Sequence, residues 1–191
     1  MRPVPSLELP HGKYIGQAAA IMEYFEDICD NPQEQWQKEI AALAKYTMRG
    51  HDSLERVEIR GILSLIEEAS VLFSFAALRG TKRHRAGDPL NCTIAQMMLK
   101  STKKSLEGIQ GYYFKRFKEN FDDHDYGGDI NIADIALFAL LEFAQEFHGQ
   151  NLVPDLLSLK GFYTAFSARK SAQRPQGFYP ADIMLFAHDW S

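Results

Sequence analysis

Cysteine is nearly absent: Cys29 and Cys92 are the two thiols in 191 residues. They lie far apart and match neither CxxC nor zinc-ligand spacing, which excludes a disulfide scaffold and a structural zinc site and fits a reducing compartment. Long apolar runs are missing as well. The longest uninterrupted one, Ile135 to Leu141, falls far short of the roughly 20 residues that span a bilayer. No apolar stretch follows the charge of Met1-Arg2-Pro3-Val4-Pro5, so this start does not read as a secretory signal. The expected location is therefore cytoplasmic, with no membrane partner. Positive charge is not in excess either: 21 Lys and Arg face 25 Asp and Glu, for a formal charge of -4. That balance offers no electrostatic footprint for nucleic acid. There is no internal repeat and no low-complexity segment.

Apparent clusters carry little chemistry. In Asp122-Asp123-His124-Asp125 neighbouring residues cannot all converge on one ion, and the spacing matches no EF-hand, so no metal is expected. Lys82-Arg83-His84-Arg85 has no interleaved aromatics and reads as an exposed loop. His11, His51, His148 and His188 stand at turns or element ends with no second group at catalytic spacing, and no nucleophile triad is assigned.

What is present is core material: 46% hydrophobic residues, including 13 Phe and 8 Tyr, with 24% charged. Leu7 and Leu9 alternate with Ser6 and Glu8, and Pro10-His11-Gly12 supplies a turn before Tyr14-Ile15, which predicts one short hairpin. From Gln17 the pattern turns helical. Ala18, Ile21, Met22 and Phe25 recur at helical spacing until Asp30-Asn31-Pro32 stops the run. Gln33 to Arg49 reads as a helical connector with Trp36, Ile40, Leu43 and Ala44 on one side.

Asp52-Ser53-Leu54-Glu55 then offers an N-cap with Glu three residues on. It starts a long helix whose buried stripe is Ile59, Ile62, Ile66, Ala69, Phe73 and Ala76. A second long helix is predicted through Ala95, Met98, Thr102, Leu106, Ile109, Tyr113 and Phe117, packed beside the first. Asn131 and Asp134 form a capping box for a helix from Ile132 to Phe147 that is apolar on nearly all sides, and this helix is expected to run through the centre of the body. Leu156, Leu159, Phe162 and Phe166 mark one or two shorter helices, and an aromatic tail passes through Tyr179, Phe186 and Trp190.

Two places together resemble the glutathione transferases. One is Val4-Pro5-x-Leu7-x-Leu9-Pro10-x-Gly12-x-x-Ile15-x-Gln17-Ala18-x-Ala20-Ile21-x-x-Tyr24-Phe25, which looks like the second half of that family's thioredoxin-like domain. The other is Asn131-x-x-Asp134 heading an apolar helix, similar to the capping box of the family's central helix. The resemblance implies a mainly α fold: a partial thioredoxin-like β-hairpin plus helix over residues 1-30, a helical connector over 31-51, and an all-helical glutathione transferase C-terminal domain over 52-191.

The resemblance also implies a site. Val4, before a cis-proline at Pro5, would present its backbone to the cysteinyl part of glutathione as an added strand would. Gln17 and Ala18, at a helix N-terminus, would receive the γ-glutamyl carboxylate, where free amides and the dipole favour negative charge. Most family members carry Ser or Thr at Ala18. The missing hydroxyl is expected to cost about 1.5 to 3 kcal/mol of ligand binding. The family's first strand, helix and second strand, which hold the Tyr, Ser or Cys that activates the thiol, have no counterpart in these residues, so the catalytic residue is unassigned. An upstream segment carrying that chemistry is one open alternative. Tyr46, Tyr112, Tyr113 and Phe117 are candidates to line an apolar substrate pocket, against the alternative that aromatics at helical spacing are core.

The function implied is glutathione-dependent conjugation, isomerisation or elimination on a small electrophilic apolar substrate, with glutathione as co-substrate and a homodimer as the assembly. The competing reading is a non-catalytic binding or dimerisation module with a vestigial glutathione site.

Overall fold

The computed structural model describes residues 5–82, 90–119, 129–175 and 177–190. Val4, Arg83 to Arg85 and the Asp122 to Asp125 cluster lie outside them. The described residues fall into two compact units, one reaching to Arg60 and including Asp129–Asp134, the other comprising the rest from Gly61 onward.

The first unit opens with the predicted hairpin. Strand β1 (Ser6–Glu8) pairs antiparallel with β2 (Tyr14–Gly16), Leu7 opposite Ile15. The turn closes through Leu9 N–H donating to the Lys13 carbonyl at 2.8 Å and Gly12 N–H to the Leu9 carbonyl at 2.9 Å. Gly12 sits at φ 80°, where a side chain would be strained. Helix α1 (Ala18–Asp30) follows, then α2 (Gln35–Leu43). A reciprocal cap starts α2: the Glu34 side chain accepts from the backbone of Gln37, whose own side chain accepts from Glu34 N–H at 3.0 Å. The connector's apolar side is shorter than the sequence pattern suggests. Leu43, the last helical residue, is 83% exposed, and Ala44 is already extended.

Helix α3 (Ser53–Gly80) begins as its sequence dictates. The Asp52 carboxylate accepts from Leu54 and Glu55 N–H, each at 2.9 Å, while Glu55 reaches back to His51 N–H at 2.8 Å. Every residue of the predicted stripe from Ile59 to Ala76 is buried. Full burial of a side chain such as Phe73 stabilises by about 1.5–3 kcal/mol relative to exposure. Averaged over 18 residues, α3 is long and apolar enough to cross a bilayer, a property that uninterrupted runs do not reveal. Its buried stripe is nonetheless that of a core helix.

In the second unit α4 (Cys92–Glu107) lies along α3. Ser105 Oγ donates to Glu68 at 2.7 Å, and a Cβ on Gly80 would come within 2.9 Å of the Ala95 methyl, so glycine permits the close approach. The single helix expected through Tyr113 and Phe117 is instead two. Gly108 N–H splits between the Lys104 and Ser105 carbonyls, and the chain restarts as α5 (Gln110–Glu119), consistent with the low helix propensity of glycine. Tyr113 is fully buried and packs 4.8 Å from Phe162 of α7 (Leu157–Ser167).

Helix α6 (Ile132–Glu142) carries Ala133, Leu137, Leu140 and Leu141 into the core, as expected. It continues as a π-helical turn, Phe143–Phe147, which periodicity alone does not announce. The aromatic tail is partly helical, as α8 (Ala181–Ala187), and ends in a clasp. Trp190 bridges to Thr81, donates its indole N–H to the His148 carbonyl at 2.8 Å, and lies tilted against Phe73 with ring centroids 6.3 Å apart.

Candidate functional site

Helix α1 starts abruptly, on Gln17. This residue has φ 71° and ψ 128°, and among the described residues it is the one non-glycine with positive φ. Such a conformation costs about 1–3 kcal/mol and persists only where its surroundings impose it. The Gln17 side chain makes no capping hydrogen bond and the first turn of α1 holds no acidic residue. Gln17 and Ala18 are exposed. The positive end of a 13-residue helix is thus presented outward without the side-chain acceptor that usually satisfies it.

The other end of α1 is held by polar anchors. Glu26, 5% exposed, accepts from the Thr47 hydroxyl at 2.9 Å and from Met48 N–H at 2.8 Å. The Met48 carbonyl accepts from Ile132 N–H at 2.9 Å, tying α1 through one residue to the start of α6. There Asn131 Oδ1 accepts from Asp134 N–H and Asp134 Oδ2 from Asn131 N–H, both at 3.0 Å, and the pair is buried. Arg49 adds a charged clamp. Its guanidinium pairs with Asp27 and Asp30 on α1 and lies 3.7 Å from Glu23. The hydrogen bonds to Asp27 and then Asp30 raise the pKa of Arg49, so it stays cationic throughout the working range. The sequence places Glu23, Glu26, Asp27 and Asp30 along one helix, a sign that could have pointed to this anchoring. It does not show which basic or amide group they meet.

Of the residues implied by the resemblance, Gln17 and Ala18 stand together at the α1 start, Pro5 is exposed just before β1, and Val4 lies outside the described residues. The aromatic candidates fall in both units. Tyr46 belongs to the first unit, is 39% exposed, and accepts through its hydroxyl from Ile130 N–H at 3.3 Å. Tyr112 and Tyr113 meet edge to face at 5.2 Å in the second unit, with Arg116 over the Tyr112 ring. The Phe117 side chain lies outside the described residues. Cys29 is half-buried on α1; burial first, then Glu26 and Asp30, push its pKa up, the opposite of what an activated thiolate needs. No cluster able to hold a metal occurs among the described residues.

No family model matches the sequence, and no curated protein matches it. Solved structures do. Gtt2 from Saccharomyces cerevisiae superposes with a TM-score of 0.57 at 19% identity, over 89% of this chain and 73% of that one. A class Gtt2 glutathione S-transferase of Vibrio parahaemolyticus superposes with a TM-score of 0.55 at 20% identity, over 89% of this chain and 71% of that one. The chain therefore has a glutathione transferase fold: a partial thioredoxin-like hairpin and helix, followed by the all-helical domain.

Proposed function

We propose that the protein is a glutathione transferase-like enzyme and that the start of α1 receives the γ-glutamyl carboxylate of glutathione. The observation that carries this reading is the strained, uncapped helix start at Gln17 and Ala18. Backbone strain of this kind concentrates at functional sites, and exposed helix amides suit a carboxylate. The same reading gives the cysteinyl part to Val4 and Pro5. The thiolate of bound glutathione would attack an electrophilic carbon of a small apolar substrate, for which the exposed Tyr46 ring is a candidate contact. The residue that lowers the thiol pKa is not assigned to any side chain here. Domain limits at residues 1-30, 31-51 and 52-191 follow from the same reading, and the two free cysteines fit the cytoplasm. Homodimerisation is supported by the apolar groove on α3 where Val71 and Phe75 are 56% and 52% exposed.

Ala18 supports the second reading, a binding or dimerisation module with a vestigial site, because it withholds the hydroxyl donor expected at that position. Calorimetric titration of the full chain with glutathione separates the two. Saturable binding that Gln17→Ala weakens supports the site; no measurable heat at millimolar glutathione supports the module.

A further inference from the structure

A cavity lies wholly within the second unit, far along the chain from Gln17. It has a volume of about 600 Å³, inside the 300–1,000 Å³ typical of small-molecule sites. Its floor comes from the end of α6 and the π-helical turn that extends it, which bring Glu142 and Glu146 to the cavity. π-helical turns of this kind are frequent at functional sites. One wall is Tyr163 on α7, stacked against Phe138 with ring centroids 5.8 Å apart. Phe178 and Tyr179 also line the cavity.

The charges in this cavity do not cancel. Arg174 is ion-paired with Glu142 and lies over two rings, 4.6 Å from the Tyr179 centroid and 5.2 Å from that of Phe178. Its guanidinium is therefore neutralised and its faces are occupied. Glu146 is exposed and has no ion-pair partner among the described residues. Its field reaches the Tyr163 phenol, whose pKa is raised by burial first and by Glu146 second. With Glu142 and Arg174 offsetting each other, one carboxylate is left facing an aromatic enclosure. That combination disfavours an anion, gives a neutral ligand nothing for the carboxylate, and suits a cation whose charge meets the ring faces. The stacked Arg174 is an internal example of the same recognition.

We propose that this cavity binds a monovalent organic cation with an apolar body, such as a quaternary or tertiary amine, with Glu146 as counter-ion and Tyr163 and Tyr179 as walls. The ligand sits beside Arg174 and leaves the Arg174 to Glu142 pair in place. Cation binding here does not depend on glutathione at Gln17, so the two proposals fail separately.

The test is calorimetry on the full chain with benzyltrimethylammonium as probe, and with benzyl alcohol and phenylacetate as neutral and anionic comparisons. The cation is expected to bind saturably and at least tenfold more tightly than either comparison. Glu146→Gln, at an exposed position whose loss leaves packing intact, is expected to weaken it about tenfold, and Tyr179→Leu severalfold, with unchanged circular dichroism in both. Absence of saturable binding, phenylacetate binding as tightly as the cation, or Glu146→Gln within twofold of the parent would overturn the proposal.

Discussion

Helices α1 and α6 begin in opposite ways. At the start of α6, Asn131 and Asp134 satisfy each other's backbone amides inside the protein, and the Met48 carbonyl takes the next amide. At the start of α1 no side chain caps the helix, the residue before it is held at φ 71°, and the position is exposed. Buried helix ends must be satisfied, because an unpaired amide away from water costs as much as a lost hydrogen bond. An exposed end can be left to water or to a ligand. One terminus therefore serves the stability of the fold, and the other is uncapped and carries backbone strain.

The buried start of α6 is the more sensitive of the two to substitution. Asp134 is fully buried, so Asp134→Ala removes an acceptor and strands the Asn131 amide; the expected loss is about 1–3 kcal/mol, read as a lower denaturant midpoint. Asn131→Ala is expected to lose about 0.5–2 kcal/mol. The double variant should lose less than the sum, because each single change already breaks the shared box. Strict additivity, or unchanged midpoints, would show that α6 takes its start elsewhere.

The open start of α1 is expected to respond in affinity. Ala18→Ser places a hydroxyl at the open helix end. Its hydrogen bond to a ligand carboxylate is expected to tighten glutathione binding about ten- to a hundredfold, equivalent to about 1.5–3 kcal/mol, and to leave the denaturant midpoint nearly unmoved. Calorimetry on parent and variant checks it. Equal affinities would remove Ala18 from the proposed site.

The two helix starts also differ in how far the sequence reveals them. A capping box is a local code, two side chains three positions apart: Asn131 with Asp134 forms as the residues imply, and Asp52 caps Glu55 N–H as implied while Glu55 reaches one residue further back, to His51 N–H. The α3 stripe is equally legible because one side of that helix alone is buried. What escapes the sequence depends on distant partners or on backbone choices with no residue signature. Glu26 reads as one more acid on a helix face until Thr47 and Met48 close over it. The Gly108 break and the π-helical turn at Phe143 interrupt patterns that periodicity would continue. α8 escapes because Leu185 and Phe186 are exposed, so its apolar residues trace no buried face. The strain at Gln17 is least visible of all, since glutamine is not a residue that positive φ normally selects. Only the resemblance pointed to that position, and it pointed through side-chain identity, not backbone geometry.

The strain at Gln17 sets stability against binding. Glycine adopts positive φ without steric cost, so Gln17→Gly relieves a conformation worth about 1–3 kcal/mol, while the added freedom of the unfolded chain takes back about 0.4–1 kcal/mol. The net expectation is a gain in stability of about 1 kcal/mol, seen as a higher denaturant midpoint. Were Gln17 only a helix entry, nothing else would follow, and glutathione binding would hold or improve with the firmer fold. If the strained backbone holds the helix amides and the Gln17 side chain toward the ligand, the same change must weaken glutathione binding severalfold as the protein becomes more stable. The two readouts moving in opposite directions is the signature of a residue retained for binding at the expense of stability. Both rising together would assign the strain to the local chain path between β2 and α1 and leave the proposed site without its principal support.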